Sequence, residues 1–220
     1  MTVLQSDIEE IVTNLQESVH AFAGKRILIT GGLGFLGRYF VQVFDYLNKQ
    51  VLSDPCEIII LDNLITATNH ATFNSKGIAI VNHDVIQPFY PERPIDFILH
   101  AAGIASPFYY RKYPLQTLEV ATIGLKNSLE IARKNPECRL SFFSSSEIYG
   151  DPDPKYMPIK ESYRGNVSCL GPRACYDESK RLGETLVRIY HEQFGIQATI
   201  IRPFNVYSGE MNENDYRVLP

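Results

Sequence analysis

The sequence contains no long apolar run, no dense cluster of basic residues and few cysteines. A membrane-spanning helix needs about 18 or more consecutive apolar residues, and no segment supplies them. The N-terminus does not combine a basic start with an apolar stretch, so we expect no signal peptide. Lys and Arg number 21 against 25 Asp and Glu, without a basic run. We therefore expect no binding to membranes or to nucleic acid.

The four cysteines are scattered along the chain at Cys56, Cys138, Cys169 and Cys175. No pair has CxxC spacing, and no histidine stands at metal-ligand spacing to any of them, so we expect no metal site. Scattered cysteines are typical of reduced thiols, which favours a cytoplasmic protein.

Short apolar runs alternate with helical stretches from residue 25 onward. The pattern predicts strands over residues 26–30, 57–62, 78–82, 96–100, 139–144 and 197–202, and helices over 35–48, 113–134 and 174–194. Residues 2–22 carry the apolar stripe of a further amphipathic helix, which either packs on the domain or contacts a partner. Continuous apolar strands that alternate with helices predict an α/β fold, a doubly wound parallel sheet of the Rossmann type.

A glycine-rich loop, Thr30-Gly-Gly-Leu-Gly-Phe-Leu-Gly37, joins the first strand to the first helix of the sheet. Gly31 allows the tight turn, Gly34 leaves room for a pyrophosphate, and Gly37 lets the helix approach the strand. The helix N-terminus offers N–H groups to the phosphates. Glycine triplets alone are weak evidence, but between a strand and a helix they predict dinucleotide binding.

Two carboxylates follow the second and third strands. Asp62 ends the second strand, where it would accept hydrogen bonds from a ribose and repel a 2′-phosphate, which favours NAD over NADP. The alternative for Asp62 is a solvated residue at a strand end. No Arg or Lys occurs at residues 63–66 to bind a 2′-phosphate. Asp84 and Val85 follow the third strand, where the adenine would lie.

Tyr176 and Lys180 are four residues apart and share one face of the last predicted helix. A phenol is a poor base at neutral pH, but a neighbouring ammonium favours its phenolate. Tyr176 is thus a candidate base for the proton of a hydroxyl group. Ser145 and Glu147 follow the fifth strand, where ligands of parallel sheets bind, and the alternative for both is a polar strand end.

These motifs together resemble those of the extended short-chain dehydrogenase/reductases that act on nucleotide sugars, the epimerase/dehydratase family. The resemblance runs from Lys25 to Pro220 and is carried by TGGLGFLG, LDN, HDV, HAAG, SSSEIYGDP, GPRACYDESKRLGE and RPFNVY. The stretches SEIYGDP and GPRACYDESK are most similar to UDP-glucuronate decarboxylases, which make UDP-xylose. The Ala105-Ser106-Pro107 segment also fits that subgroup.

The resemblance implies bound NAD, oxidation of the sugar 4-hydroxyl, loss of carbon dioxide from the β-keto acid, and return of the hydride. It implies Tyr176 as base, Lys180 as its activator and a cofactor ligand, Ser145 as an aid to proton transfer, and Glu147 as the carboxylate of the sugar pocket. It implies substrate contacts by Ser106 and Asn205. It also implies a set of cofactor contacts: Gly31, Gly34, Phe35, Leu36, Gly37, Asp62, Asn63, Asp84, Val85 and Ala101.

Three positions depart from the family's pattern. Ser146 stands where 4,6-dehydratases carry Asp, which disfavours water elimination. Ala121 stands where the family has Asn, and Tyr207-Ser-Gly209 stands where the family has YGP.

Three functions are therefore open: a UDP-glucuronate decarboxylase, a nucleotide-sugar 4-epimerase, and a non-catalytic NAD-binding sensor. We expect a UDP-sugar as substrate and a homodimer as the assembly. The predicted division is an N-terminal helix over 1–24, a NAD-binding domain over 25–203, and the start of a substrate-binding domain over 204–220. Since the family's proteins are longer, we expect most of that smaller domain to be missing here, so that NAD binds but sugar turnover is weak.

Overall fold

The computed structural model of the chain describes residues 5–66, 73, 75–208 and 211. Six strands form one parallel sheet: β1 (Arg26–Thr30), β2 (Glu57–Asp62), β3 (Ile78–Asn82), β4 (Phe97–His100), β5 (Arg139–Phe143) and β6 (Gln197–Ile201). The spatial order is β3-β2-β1-β4-β5-β6. The strand order reverses between β1 and β4, where ligands of doubly wound sheets bind. The predicted fold class is confirmed.

The central strands are apolar throughout because both faces of the sheet are covered. Ile27, Leu28 and Ile29 of β1 are all fully buried. Successive side chains of a strand point to opposite faces, so Leu28 joins one hydrophobic core while Ile27 and Ile29 join the other. The edge strand β3 is less covered, and its Ile80 is exposed.

Two predicted helices occur with nearly the predicted bounds. The first, α2, runs from Phe35 to Gln50, two residues beyond the prediction. The last, α6, spans Ala174–Phe194 as predicted. It ends at Gly195, which has the left-handed conformation (φ 70°) that glycine adopts readily.

The helix predicted over 113–134 is present, with one local change. It runs without a break through α4 (Pro114–Glu119), a π-helical turn (Val120–Gly124) and α5 (Leu125–Arg133), and a separate short helix, α3 (Pro107–Lys112), precedes it. The π-helical turn has tertiary contacts that a sequence pattern does not show. The Nε2 of buried His100 lies 3.3 Å from the Val120 carbonyl oxygen, and a Cβ added at Gly183 of α6 would lie 3.1 Å from the Ala121 carbonyl oxygen.

The N-terminal segment forms α1 (Gln5–Leu15) followed by a 3₁₀ helix (Gln16–Phe22), not the single helix predicted over 2–22. The change occurs at Gln16, whose φ of 50° is outside the α-helical range. Ile8 and Val19 are both buried in the core beside α2. The apolar face of the segment therefore packs on the chain's own domain, as the first of the two alternatives predicted.

Within the described ranges, no helix combines the length and apolar character that a bilayer span needs. In the same part of the chain, no three His, Cys, Asp or Glu side chains group in a way that would hold a metal ion.

Candidate active site

The glycine-rich loop leaves a cradle at the N-terminus of α2. Gly31 has a φ of 69°, and a Cβ there would lie 2.6 Å from the Cα of Ala102. A Cβ at Gly37 would lie 2.1 Å from the Gly31 carbonyl oxygen, so α2 packs directly on the loop. Among the described residues, a Cβ at Gly34 would meet only that same oxygen, at 3.2 Å. Gly34 therefore faces open space, where a pyrophosphate fits.

We call the cavity beside this loop the cofactor cleft. It contains every residue predicted to contact the cofactor except Lys180: Gly31, Gly34, Phe35, Leu36, Gly37, Asp62, Asn63, Asp84, Val85 and Ala101. Ser106, predicted to contact the substrate, also lines this cleft. Arg38 of α2 also lines the cofactor cleft. The prediction missed this basic residue because it considered only Arg and Lys residues that follow β2.

Asp62 has a structural task besides its predicted contact with a ribose. Its Oδ2 accepts a hydrogen bond from the Leu33 amide at 3.0 Å, and its Oδ1 accepts one from the Leu64 amide at 2.9 Å. Leu64 has a φ of 62°, which is uncommon for a residue other than glycine. Asp62 thus ties the glycine loop to the turn after β2. Beside it, the Asn63 amide donates to Asp84 Oδ2 at 3.1 Å.

A second cavity, which we call the reaction cleft, continues from the first. Both clefts share five residues: Phe35, Leu36, Ala101, Gly103 and Ala105. The reaction cleft is lined by the predicted catalytic set, Ser145, Glu147, Tyr176 and Lys180, and by Asn205. Residues 209, 210 and 212–220, which belong to the predicted substrate-binding segment, lie outside the described residues.

Lys180 and Tyr176 are buried together in the first turns of α6, with 4% and 8% of their surface exposed. The Lys180 ammonium donates to the Phe143 carbonyl at the end of β5 at 2.6 Å. It also lies 5.8 Å from the centre of the Tyr176 ring. Burial lowers the pKa of Lys180 to about 8, since an apolar environment disfavours the charged form.

Tyr110 of α3 is a site residue that the sequence patterns did not indicate. Its ring stacks on that of Tyr176 with centroids 5.6 Å apart and an angle of 17°. Tyr110 is 3% exposed and lines the reaction cleft. Burial raises the pKa of Tyr110, so its phenol stays neutral beside the candidate base. The Tyr176 ring is therefore held between α3 and its own helix.

The first two serines after β5, Ser144 and Ser145, have different roles. The Ser144 hydroxyl donates to Glu184 at 2.6 Å, and Glu184 pairs with Arg202. Ser145 lines the reaction cleft, and its Oγ accepts a hydrogen bond from the Glu147 amide at 3.2 Å as the cap of a short 3₁₀ helix. The Ser145 proton remains available to a ligand hydroxyl.

Glu147, the predicted carboxylate, lines the reaction cleft together with a cation. Its carboxylate accepts a hydrogen bond from Arg173, which immediately precedes α6 and lines the same cleft. Arg173 belongs to the GPRACYDESK stretch, but no local pattern pairs it with a residue 26 positions earlier. The reaction cleft thus contains a cation as well as the predicted carboxylate.

Comparisons with known proteins agree with this geometry. The NAD dependent epimerase/dehydratase family matches residues 27–220. UDP-glucuronic acid decarboxylase 1 of Danio rerio is 40% identical over 198 residues, which are 89% of this chain and 44% of that protein. UDP-glucuronic acid decarboxylase 6 of Arabidopsis thaliana is 39% identical over 208 residues, which are 93% of this chain and 57% of that protein. The chain spans about half the length of these curated relatives.

Solved structures with the same fold bind NAD or nucleotide sugars. UDP-N-acetylglucosamine 4-epimerase from Methanobrevibacter ruminantium, in complex with UDP-N-acetylmuramic acid, superposes with a TM-score of 0.69 at 25% identity, covering 87% of this chain and 58% of that one. DesIV, a dTDP-glucose 4,6-dehydratase from Streptomyces venezuelae with NAD and TYD bound, superposes with a TM-score of 0.62 at 26% identity, covering 80% and 55%.

Proposed function

Because this chain belongs to the NAD dependent epimerase/dehydratase family, whose cofactor is NAD, we propose that it modifies a nucleotide sugar by oxidation at the sugar 4-hydroxyl. The observation that carries the proposal is the convergence of Tyr176, Lys180 and Ser145 on a reaction cleft that continues from the cofactor cleft. This is the arrangement that removal of a hydroxyl proton beside a dinucleotide requires.

The glycine loop, Asp62 and the N-terminus of α2 fit NAD. Bound NAD supplies a hydride acceptor that can later return the hydride. Tyr176 takes the proton of the 4-hydroxyl, because the Lys180 ammonium stabilises the phenolate. Ser145 donates a hydrogen bond to the same oxygen and orients it. Tyr110 restricts the Tyr176 ring to one orientation by stacking on it.

Among the reactions of this chemistry, decarboxylation of UDP-glucuronate has the most support. Three curated relatives, which are 36–40% identical to this chain, are UDP-glucuronic acid decarboxylases. After oxidation at C4 the sugar is a β-keto acid, whose C5–carboxylate bond breaks to release carbon dioxide and leave an enolate. Protonation of C5 and return of the hydride then give the pentose. Arg173 in the cleft provides a positive charge for the carboxylate of such a substrate.

Incubation of the NAD-loaded protein with UDP-glucuronate, followed by mass analysis, tests the proposal. A product lighter by carbon dioxide supports the decarboxylase, and an isomeric product supports the 4-epimerase. No turnover, with NAD bound, leaves the sensor open. Tyr176→Phe should abolish turnover and leave NAD affinity nearly unchanged, whereas Tyr156→Phe, which lines neither cleft, should change neither. An active Tyr176→Phe protein would remove Tyr176 from the mechanism.

We also propose a homodimer formed through α4 and α6. The two helices pack against each other, and each exposes apolar side chains: Leu115 and Leu118 on α4, Leu182 and Ile189 on α6. Apolar groups on adjacent helices favour association. Light scattering should report a dimer, and Leu118→Glu with Leu182→Glu should give a folded monomer. A dimer that survives both changes would place the interface elsewhere.

The thiols support a cytoplasmic location. All four cysteines are unpaired. Burial raises the pKa of Cys56 to about 11 and that of Cys138 to about 12, so both are unreactive core residues.

A further inference from the structure

Arg173 lies between two carboxylates at the wall of the reaction cleft. Its Nη2 donates to Glu147 Oε2, and its Nε lies 3.5 Å from Asp177 Oδ2. Asp177 follows Tyr176 in the first turn of α6. Two nitrogens of one guanidinium therefore contact two different acids.

The two acids differ in how far they are buried. The Asp177 side chain is 13% exposed, against 38% for Glu147 and 46% for Arg173. The Asp177 Oδ1 is buried and has no hydrogen-bond partner among the residues that the structure describes. A buried carboxylate that lost its cation would be strongly destabilised, whereas an exposed ion pair contributes little. Arg173 is therefore expected to keep its contact with the buried Asp177, whereas another carboxylate can replace the more exposed Glu147.

We propose that Asp177 is a positioning residue that holds the Nε of Arg173, so that the Nη2 of the same guanidinium can pass from Glu147 to the carboxylate of an acidic sugar ligand. This inference rests on the proposed function, since it names the group of the substrate that the cleft selects. The charged residues that line the cleft are two cations, Arg173 and Lys180, and one carboxylate, Glu147, so the lining carries no excess negative charge against an acidic ligand.

The exchange also releases Glu147. While Glu147 is paired with Arg173, its carboxylate is directed to the guanidinium. Once the ligand carboxylate takes that place, Glu147 is free to contact the sugar. A neutral sugar has no group to displace Glu147, so the ion pair stays closed and no such contact forms. The preference for acidic over neutral ligands thus depends on Arg173 remaining in place after Glu147 has left.

The test compares UDP-glucuronate with UDP-glucose, which differ at one carbon, by calorimetric titration of the NAD-loaded protein. Asp177→Asn keeps the size of the side chain and removes its charge. We expect it to reduce the preference for UDP-glucuronate at least fivefold, with the affinity for UDP-glucose within twofold of wild type. Asp177→Glu should restore part of the preference. Glu178→Gln is the matched control, because Glu178 lies on the same helix and pairs with Arg181 instead.

The possible failures are distinguishable. A wild-type protein that binds both sugars equally overturns the choice of an acidic substrate, and this inference with it. A wild-type preference that Asp177→Asn leaves intact overturns the role of Asp177 alone. If Asp177→Asn loses affinity equally for both sugars and Asp177→Glu does not restore it, Asp177 has a merely structural role. That result also overturns its role in positioning Arg173.

Discussion

Gly34 and Gly37 belong to one loop, yet alanine at each should fail in a different way. A Cβ at Gly37 would lie 2.1 Å from the Gly31 carbonyl oxygen, whereas ordinary contact begins near 3.4 Å. The loop and α2 would have to separate by about 1 Å, because the atoms that the new Cβ meets, the Gly31 oxygen and the Gly32 Cα, both belong to the backbone. Overpacking of this kind costs up to about 3 kcal/mol, which the better helix propensity of alanine offsets by about 1 kcal/mol. We expect a net loss of about 2 kcal/mol, or about 4–8 °C in Tm for a domain of this size.

Gly34→Ala should leave the fold nearly unchanged and impair cofactor binding. Among the described residues the added methyl meets only the Gly31 oxygen, at 3.2 Å, and alanine at this helix cap costs under about 1 kcal/mol. The methyl would stand where the pyrophosphate meets the α2 N-terminus, and loss of one charged hydrogen bond costs about 1.5–3 kcal/mol. NAD affinity should therefore fall roughly 10- to 100-fold. Thermal unfolding and calorimetric titration measure both effects. A folded Gly34→Ala protein with wild-type NAD affinity would refute this placement of the pyrophosphate.

Three further predictions concern titration and cofactor choice. Burial lowers the pKa of Lys180 to about 8, so its ammonium is lost as the pH rises through that value. The rate of cofactor reduction should therefore fall above about pH 8, and a rate that stays flat to about pH 10 would contradict this. Asp62→Asn should reduce the preference for NAD over NADP about tenfold in titrations with both dinucleotides, and an unchanged ratio would mean that Asp62 only ties the loop. Burial lowers the pKa of His100 from 6.5 to about 3, so His100 stays neutral in the folded protein between these two pH values, where the unfolded chain binds a proton. The free energy of unfolding should therefore fall by about 1.4 kcal/mol for each pH unit as the pH drops through this range. In urea unfolding, His100→Gln should lose that part of the pH dependence, and an unaltered slope would assign it to other groups.

Much of the fold could be read from local patterns. The central strands are buried on both faces, so their apolar runs are continuous and their bounds were predicted within a residue or two. The glycine loop, Asp62, Ser145 and the Tyr176–Lys180 pair were identifiable because each has a fixed place relative to a strand or helix end. In a parallel sheet, the carboxyl ends of all strands lie at one edge, which is why these separate motifs line two connected clefts.

The order of the elements and the chemistry at their ends therefore follow from local sequence patterns. The pairing of Arg173 with Glu147, the stacking of Tyr110 on Tyr176 and the π-helical turn at Val120 do not. Each involves a contact between residues at least 20 positions apart. Helical and strand periodicities report which side of an element is buried but not which residue of another element meets it. Those contacts arise only when the loops after β4 and β5 and the start of α6 are brought to the same edge of the sheet.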